Sequence, residues 1–175
     1  MFGLAGSRGA ALIILGIDPG LANTGWGIVE QSGSRLRCLA YGCVSTEASD
    51  DLPQRLAQIH ERLTAVIERY APSECAVESV YFGTNARSAL ATGQARGVAL
   101  LALAEKGLRL GEYSPAQIKD AVVGVGSADK RQVSYMVRVL LGLDHEPAPD
   151  HAADALAAAI CHAHMRGVRN AEAAV

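Results

Sequence analysis

The chain has 175 residues, half of them apolar and 19% charged, with a formal net charge of −2. That length suits one domain with a real core, and the apolar share excludes a disordered polar chain. No apolar run approaches the ~20 residues of a membrane-spanning helix, and the slightly acidic total speaks against a uniformly basic nucleic-acid coat.

Residues 1–11 (MFGLAGSRGAA) lack the long apolar stretch and cleavage site of a signal peptide. They are expected to be a flexible N-terminal extension of a cytoplasmic protein. Residues 12–18 (LIILGID) are a short β-branched run closed by Pro19-Gly20, which predicts a buried strand. Residues 24–31 predict a second strand and, after the Ser32-Gly33-Ser34 turn, residues 35–45 a third, giving a meander. Leu52, Leu56, Ile59, Leu63, Val66 and Ile67 then fall at helical spacing over 51–70, behind the acidic start Asp50-Asp51.

Residues 74–82 (ECAVESVYF) predict a strand, followed by a polar loop at Gly83-Thr84-Asn85. A small-residue helix is expected over 86–106, interrupted by Gly93 and Gly97, then a short strand over 108–113. Ser114-Pro115 starts a further helix in cap-then-proline order. Gly124 and Gly126 precede a helix over about 129–141, and a Pro-rich connection leads to an Ala-rich helix over 150–166. The order predicts an α/β domain over 12–166, a mixed five-stranded sheet flanked by helices, with a short tail at 167–175.

Cys38, Cys43, Cys75 and Cys161 form no CxxC pair and are expected to be small hydrophobes. Cys161 and His164 stand three residues apart on the last helix, but no second pair completes a zinc site. The charges are unevenly spread. Residues 87–138 carry eight basic side chains (Arg87, Arg96, Lys106, Arg109, Lys119, Lys130, Arg131, Arg138) against four acids, while both flanks are acidic. Such a block serves either as a footprint for phosphates or as a solvated helix surface.

Three carboxylates stand on apolar elements. Asp18 ends the first strand, where it either starts the Pro19-Gly20 turn or does chemistry. The glycines after it (Gly20, Gly25, Gly27) let the following hairpin approach the sheet or a phosphate. Glu78 sits in Ala-Val-Glu-Ser-Val, expected in mid-strand and on the face of Ala76, a poor place for Glu unless that face is exposed or the carboxylate has a partner. Asp154 lies in an Ala-rich helix with no cationic neighbour in sequence, sharing a face with His151 and with Asp150, which is placed to cap the helix. Carboxylates drawn from distant positions are what a two-metal phosphodiester hydrolase requires, with Mg²⁺ or Mn²⁺ as the fitting ions. Three carboxylates and one phosphate balance two such ions. His151 would add a neutral ligand or a proton-transfer group.

The stretches ILGIDPGLANTGWGIVE, DDLPQRL, AVESVYFGTNARSAL, GQARGVA, VVGVGSADKRQV and ADALAAAICHAH, in this order, resemble the RuvC family of junction resolvases over about residues 12–165. The resemblance implies an RNase H-like fold and a homodimeric endonuclease that resolves four-way DNA junctions by symmetric paired nicks in recombination and repair. It also implies a divalent metal and work alongside a RuvA–RuvB branch-migration complex. It makes Asp18, Glu78 and Asp154 metal-binding carboxylates and places the fourth site position on His151, where many members carry Asp. By the same resemblance Lys119 and Lys130 lie near the cleaved strand, and Tyr81 near the junction centre, where the bare sequence reads as a strand-end core aromatic. Arg87 and Arg96 become backbone contacts, and the helix over 86–106 a dimer interface. Two other readings stand beside it. An actin-like phosphotransferase would explain Asp18-Pro-Gly and Thr24-Gly-Trp-Gly, but it needs a second domain. A non-catalytic junction-binding protein leaves the three carboxylates without a purpose.

Overall fold

The computed structural model describes residues 11–79 and 86–172, with side chains as far as Arg166. Residues 1–10 of the expected extension, Tyr81, the 83–85 loop and residues 173–175 lie outside them.

Five strands, β1 (Leu12–Asp18), β2 (Asn23–Ser32), β3 (Arg35–Ser45), β4 (Glu74–Glu78) and β5 (Arg109–Tyr113), form one mixed sheet in the order β3-β2-β1-β4-β5. The first three are the antiparallel meander, and β4 and β5 run parallel to β1. Alternation along β1 divides the interior. Leu15 and Ile17 pack with helices α1 (Leu52–Tyr70) and α2 (Ala86–Glu105) on one face. Ile14 packs on the other against α3 (Pro115–Val123), α4 (Lys130–Leu141) and α5 (Asp150–Glu172). Burying each such side chain contributes ~1.5–3 kcal/mol. The expected α/β architecture is the observed one.

α5 lies against the centre of the sheet because both surfaces lack side-chain bulk there. Ala155, Leu156 and Ala159 are fully buried, with Ala155 and Ala159 facing Gly16 on β1 and Leu156 facing Gly27 on β2. A Cβ at Gly16 would stand 1.9 Å from the Ala155 carbonyl oxygen, and one at Gly27 2.5 Å from Leu156. Of the glycines expected to let the hairpin approach the sheet or a phosphate, Gly25 and Gly27 make room for α5, while Gly20 faces Asn23 within the turn. The far end of this helix is tied by a buried hydrogen-bonded cluster that the sequence did not suggest. His162 Nε2 meets Glu74 Oε2 at 2.7 Å, the Tyr113 hydroxyl meets His162 Nδ1 at 2.8 Å, and Arg166 Nε donates to Glu74 Oε1 at 3.1 Å. Burial alone would raise the Glu74 pKa, but the bonds from His162 and Arg166 outweigh it and hold it below its usual value.

Four local expectations change. β4 ends at Glu78, so this carboxylate closes the strand instead of sitting within it. α2 runs unbroken through Gly93 and Gly97, since Ala95, Ala99, Ala102 and Leu103 anchor it to the core. α5 continues past residue 166 to Glu172. Asp150 is the first residue of α5, not its cap. The helices at 115 and 130 start as their sequences suggest, each with a reciprocal capping box, Ser114 with Gln117 and Asp129 with Gln132.

Candidate active site at the carboxyl ends of the parallel strands

The register builds the site. Gly16 pairs with Ala76 and Ile17 with Val77, so Asp18 and Glu78, one residue further on, end neighbouring parallel strands on the α5 face. Carboxyl ends of parallel strands are where open α/β sheets hold their ligands. Asp18 also pairs across with Gly25, and a Cβ at Gly25 would stand 1.9 Å from the His151 carbonyl oxygen. Gly25 therefore lets the first turn of α5 descend onto the strand ends, carrying His151 and, three residues later, Asp154. The Pro19-Gly20 turn is closed by Thr24, whose hydroxyl donates to the Gly20 carbonyl at 2.7 Å. Asp18 is thereby left to face the helix.

His151 Nδ1 lies 2.7 Å from Asp18 Oδ2, with the two side chains 42% and 20% exposed. If Nδ1 carries the proton, Asp18 fixes the ring and leaves Nε2 as an acceptor. Asp18, His151 and Asp154 each offer a ligand atom, all within 4.8 Å of one another. Among the described residues no other group of three or more His, Cys, Asp or Glu side chains does so. Glu78 stands beside this triple, and with Asp154, Lys119 and Lys130 it lines a cleft of about 220 Å³ over Ile118, Val133 and Ala157.

Negative charge is crowded here. Burial and then the charges of Asp18 and Asp154 push the Glu78 pKa up, against the pull of Lys119 and Lys130. Burial and Asp18 likewise raise that of Asp154. Carboxylates that destabilise one another in this way suit a divalent cation, and oxygen donors with one imidazole suit Mg²⁺ or Mn²⁺. The donor set fits the ion the sequence implies.

Lys130 corrects the expectation that Asp154 has no cationic neighbour. Its Nζ reaches across from α4 to Asp154 Oδ2 at 3.2 Å and to Asp150 Oδ2 at 3.4 Å, a contact between helices that no sequence spacing reveals. Burial alone would lower the Lys130 pKa, but these two carboxylates outweigh it and raise it. The ammonium thus competes for a carboxylate assigned to metal. Lys130→Met is expected to tighten Mn²⁺ binding about fivefold in calorimetric titration without DNA, since a half-exposed pair is worth about 1 kcal/mol. Weaker binding would make Lys130 a support of the site and not a competitor.

Of the other expected DNA contacts, Lys119 is half-buried in the cleft and Arg87 is exposed at the start of α2. Arg96 is otherwise engaged, 15% exposed and 2.9 Å from Glu112. Lys106 pairs with Glu68, so the basic block is not one continuous free face. The cysteines are free thiols. Cys75 and Cys161 are buried, with burial pushing both thiols up to about 12. His164 Nδ1 faces the Ala121 carbonyl at 2.9 Å, and the two residues share no metal cluster.

Known proteins carry the same fold. The sequence profile described as Crossover junction endodeoxyribonuclease RuvC matches residues 14–162. The chain is 55% identical over 150 residues to the RuvC of Chloroflexus aggregans, covering 86% of this chain and 92% of that protein. It is 49% identical over 159 residues to the RuvC of Treponema pallidum strain Nichols, covering 91% and 81%. Thermus thermophilus RuvC superposes with a TM-score of 0.83 at 37% identity, over 90% of this chain and 97% of that one. The same protein in complex with a Holliday junction substrate gives 0.86 at 36% identity, over 90% and 96%. With its acidic cluster at the strand ends and this likeness along nearly its whole length, the chain belongs to the RuvC family of crossover junction endodeoxyribonucleases.

Proposed function

We propose that the protein resolves four-way DNA junctions by symmetric paired nicks, through metal-dependent phosphodiester hydrolysis at Asp18, Glu78, His151 and Asp154, in homologous recombination and repair. The observation that carries this is the convergence of Asp18, His151 and Asp154 within 4.8 Å, beside Glu78, in a member of a junction-cutting family. The three carboxylates hold the divalent ions, two of Mg²⁺ or Mn²⁺, with His151 completing the donor set. Cations held there would acidify a water and neutralise charge on the phosphate. Asp18 orients the His151 ring so that Nε2 faces the site as ligand or proton acceptor. Lys119 and Lys130 contact phosphates beside the scissile bond, as compact charges suit, and Arg87 contacts the backbone further out. Tyr81 is proposed to stack near the junction centre on the strength of the family resemblance alone.

A homodimer accounts for the outer face of α2. Leu90 and Leu101 are 64% and 53% exposed, and Gly93 and Gly97 between them face open space. Together they form a stripe at helical spacing on which a second copy can approach closely. Two copies would supply two acidic sites for two strands. Cooperation with a RuvA–RuvB complex and residence in the cytoplasm follow from the same reading. Among the described residues no helix is long and apolar enough to cross a membrane.

The test is a labelled four-way junction incubated with the protein and Mn²⁺, Mg²⁺ or chelator. Paired nicks in opposing strands are expected with either ion and none with chelator, Mn²⁺ performing at least as well because imidazole is the softer donor. A clear preference for Mg²⁺ at equal free metal would count against direct ligation by His151, and binding without nicking in any metal would leave a non-catalytic binder.

A further inference from the structure

A groove of about 410 Å³ runs between α1 and the β2–β3 hairpin, on the sheet face opposite the acidic site. Its floor is aromatic. Trp26 lies over β3 where Gly42 makes room, since a Cβ there would stand 2.8 Å from the indole. The Trp26 and Tyr70 ring centroids are 6.3 Å apart at 37°, and the Arg69 guanidinium sits 5.4 Å above the Tyr70 ring. Arg62 lines the same groove, and both arginines are exposed. No carboxylate lines it, and the ion pairs recorded among the described residues involve neither arginine.

We propose that this groove is a second nucleic-acid site, which takes a single-stranded DNA segment with its phosphates on Arg62 and Arg69 and a base against Trp26 and Tyr70. Guanidinium groups beside aromatic faces are how single strands are held with little regard to sequence. The two arginines lie seven residues apart on one helix, about 10 Å along its axis, far enough to serve different phosphates. A bare anion site would not need the aromatic floor, and a cationic ligand would meet two positive charges. The groove is also placed to receive such a strand. Its Ser45–Gln58 end adjoins Asn23, the β2 residue paired with Ser45, at the end of the sheet that carries Asp18. A strand leaving the acidic site around the β1–β2 turn would enter there. Both arginines lie in an acidic part of the sequence, so charge counting along the chain passes over them. The inference rests on the DNA-processing reading of the acidic site and adds, on the opposite face, a contact for single-stranded DNA that a fully paired junction does not use.

Trp26 is the only tryptophan, so intrinsic fluorescence reports on the groove directly. An oligothymidylate about twelve nucleotides long, the scale of single-strand sites, is titrated into the full chain in chelator at low salt. Tryptophan emission and the anisotropy of a labelled strand are followed together. Saturable quenching is expected in step with anisotropy. Arg62→Ala with Arg69→Ala should weaken binding by about tenfold or more and reduce the salt slope of log affinity by about 1.4, at ~0.7 per lost phosphate contact on a single strand. Both substitutions are on the surface, and nicking of a blunt-armed junction should stay within about twofold of wild type as the acidic site is untouched. Unchanged affinity and slope in the double variant, anisotropy without quenching, or no binding at all would each overturn the proposal. Failure of the wild type to nick junctions would instead overturn the resolvase reading, which the chelator titration does not involve.

Discussion

Glu78→Gln is expected to reduce junction nicking by about 10³-fold or more while leaving junction binding intact and making the metal-free protein more stable. Loss of one metal-binding carboxylate forfeits several kcal/mol of transition-state stabilisation, and each ~1.4 kcal/mol is tenfold in rate. Asp18→Asn should behave alike in nicking. The stability gain has a separate origin. Glu78 and Asp154 are held with pKa values above 4.5 and 3.8, by burial first and then by neighbouring negative charge. A carboxyl with a raised folded pKa binds its proton more tightly in the folded chain, so its stabilising contribution is complete below the unfolded value and is lost as pH rises through the folded one. Removing the charge at residue 78 should therefore add about 0.5–2 kcal/mol at neutral pH in chelator, or roughly 1–8 °C in Tm. Across the same window above the ordinary carboxylate values, mild acidification should raise the Tm of the metal-free protein while nicking falls, because metal ligation needs ionised carboxylates. Nicking by Glu78→Gln at wild-type rate would remove Glu78 from the site, and loss of junction binding in both variants would make the two carboxylates structural.

Gly16→Ala should lower stability by about 3 kcal/mol or more, an overpacking cost at the upper end of the usual range, or roughly 6–12 °C in Tm for a chain of this size. The added Cβ would stand 1.9 Å from the Ala155 carbonyl oxygen and 2.9 Å from its carbon. These are backbone atoms of a helix held at its far end by the Glu74–His162 pair, so no flexible side chain can yield. The same change at Gly25 acts on the site, because its Cβ would press on the His151 carbonyl and stand 2.9 Å from the His151 Cβ. It should part His151 from Asp18 and weaken metal binding. A Tm for Gly16→Ala within about 2 °C of wild type, where the size scaling predicts several degrees, would mean that α5 is not clamped to the sheet as described.

Periodicity sufficed for the sheet and for most helix positions, since apolar residues recur with the period of each element. It was weakest where an element's fate is decided elsewhere. The apolar run over 74–82 hid the end of β4, so Glu78 reads as mid-strand when it closes the strand. Gly93 and Gly97 look like interruptions at ~1 kcal/mol each, yet packing of the opposite face of α2 carries the helix through them. Asp18 remained ambiguous because its turn could use it, and only the Thr24 hydroxyl closing that turn shows otherwise. The resemblance joined residues 18, 78, 151 and 154 into one expected site, whereas local spacing alone did not encode the proximity of Asp18, His151 and Asp154. The Lys130–Asp154 contact, the Glu74–His162 pair and the closure of Arg96 by Glu112 all join distant segments, and no local spacing encodes them. Gly25 and Gly27 were noticed for letting the hairpin approach closely and Gly16 was passed over, whereas all three matter for the volume they leave to α5.

Asp18, Glu78, His151 and Asp154 are proposed to form one divalent-metal site before any DNA is present. Calorimetric titration of Mn²⁺ into the chelator-treated, DNA-free protein tests it most directly, with Asp18→Asn and Asp154→Asn run beside the wild type. Saturable binding to the wild type is expected, with its loss, or weakening by about tenfold or more as removal of a ligand should cause, in both variants. Equal Mn²⁺ affinity in all three proteins would contradict it.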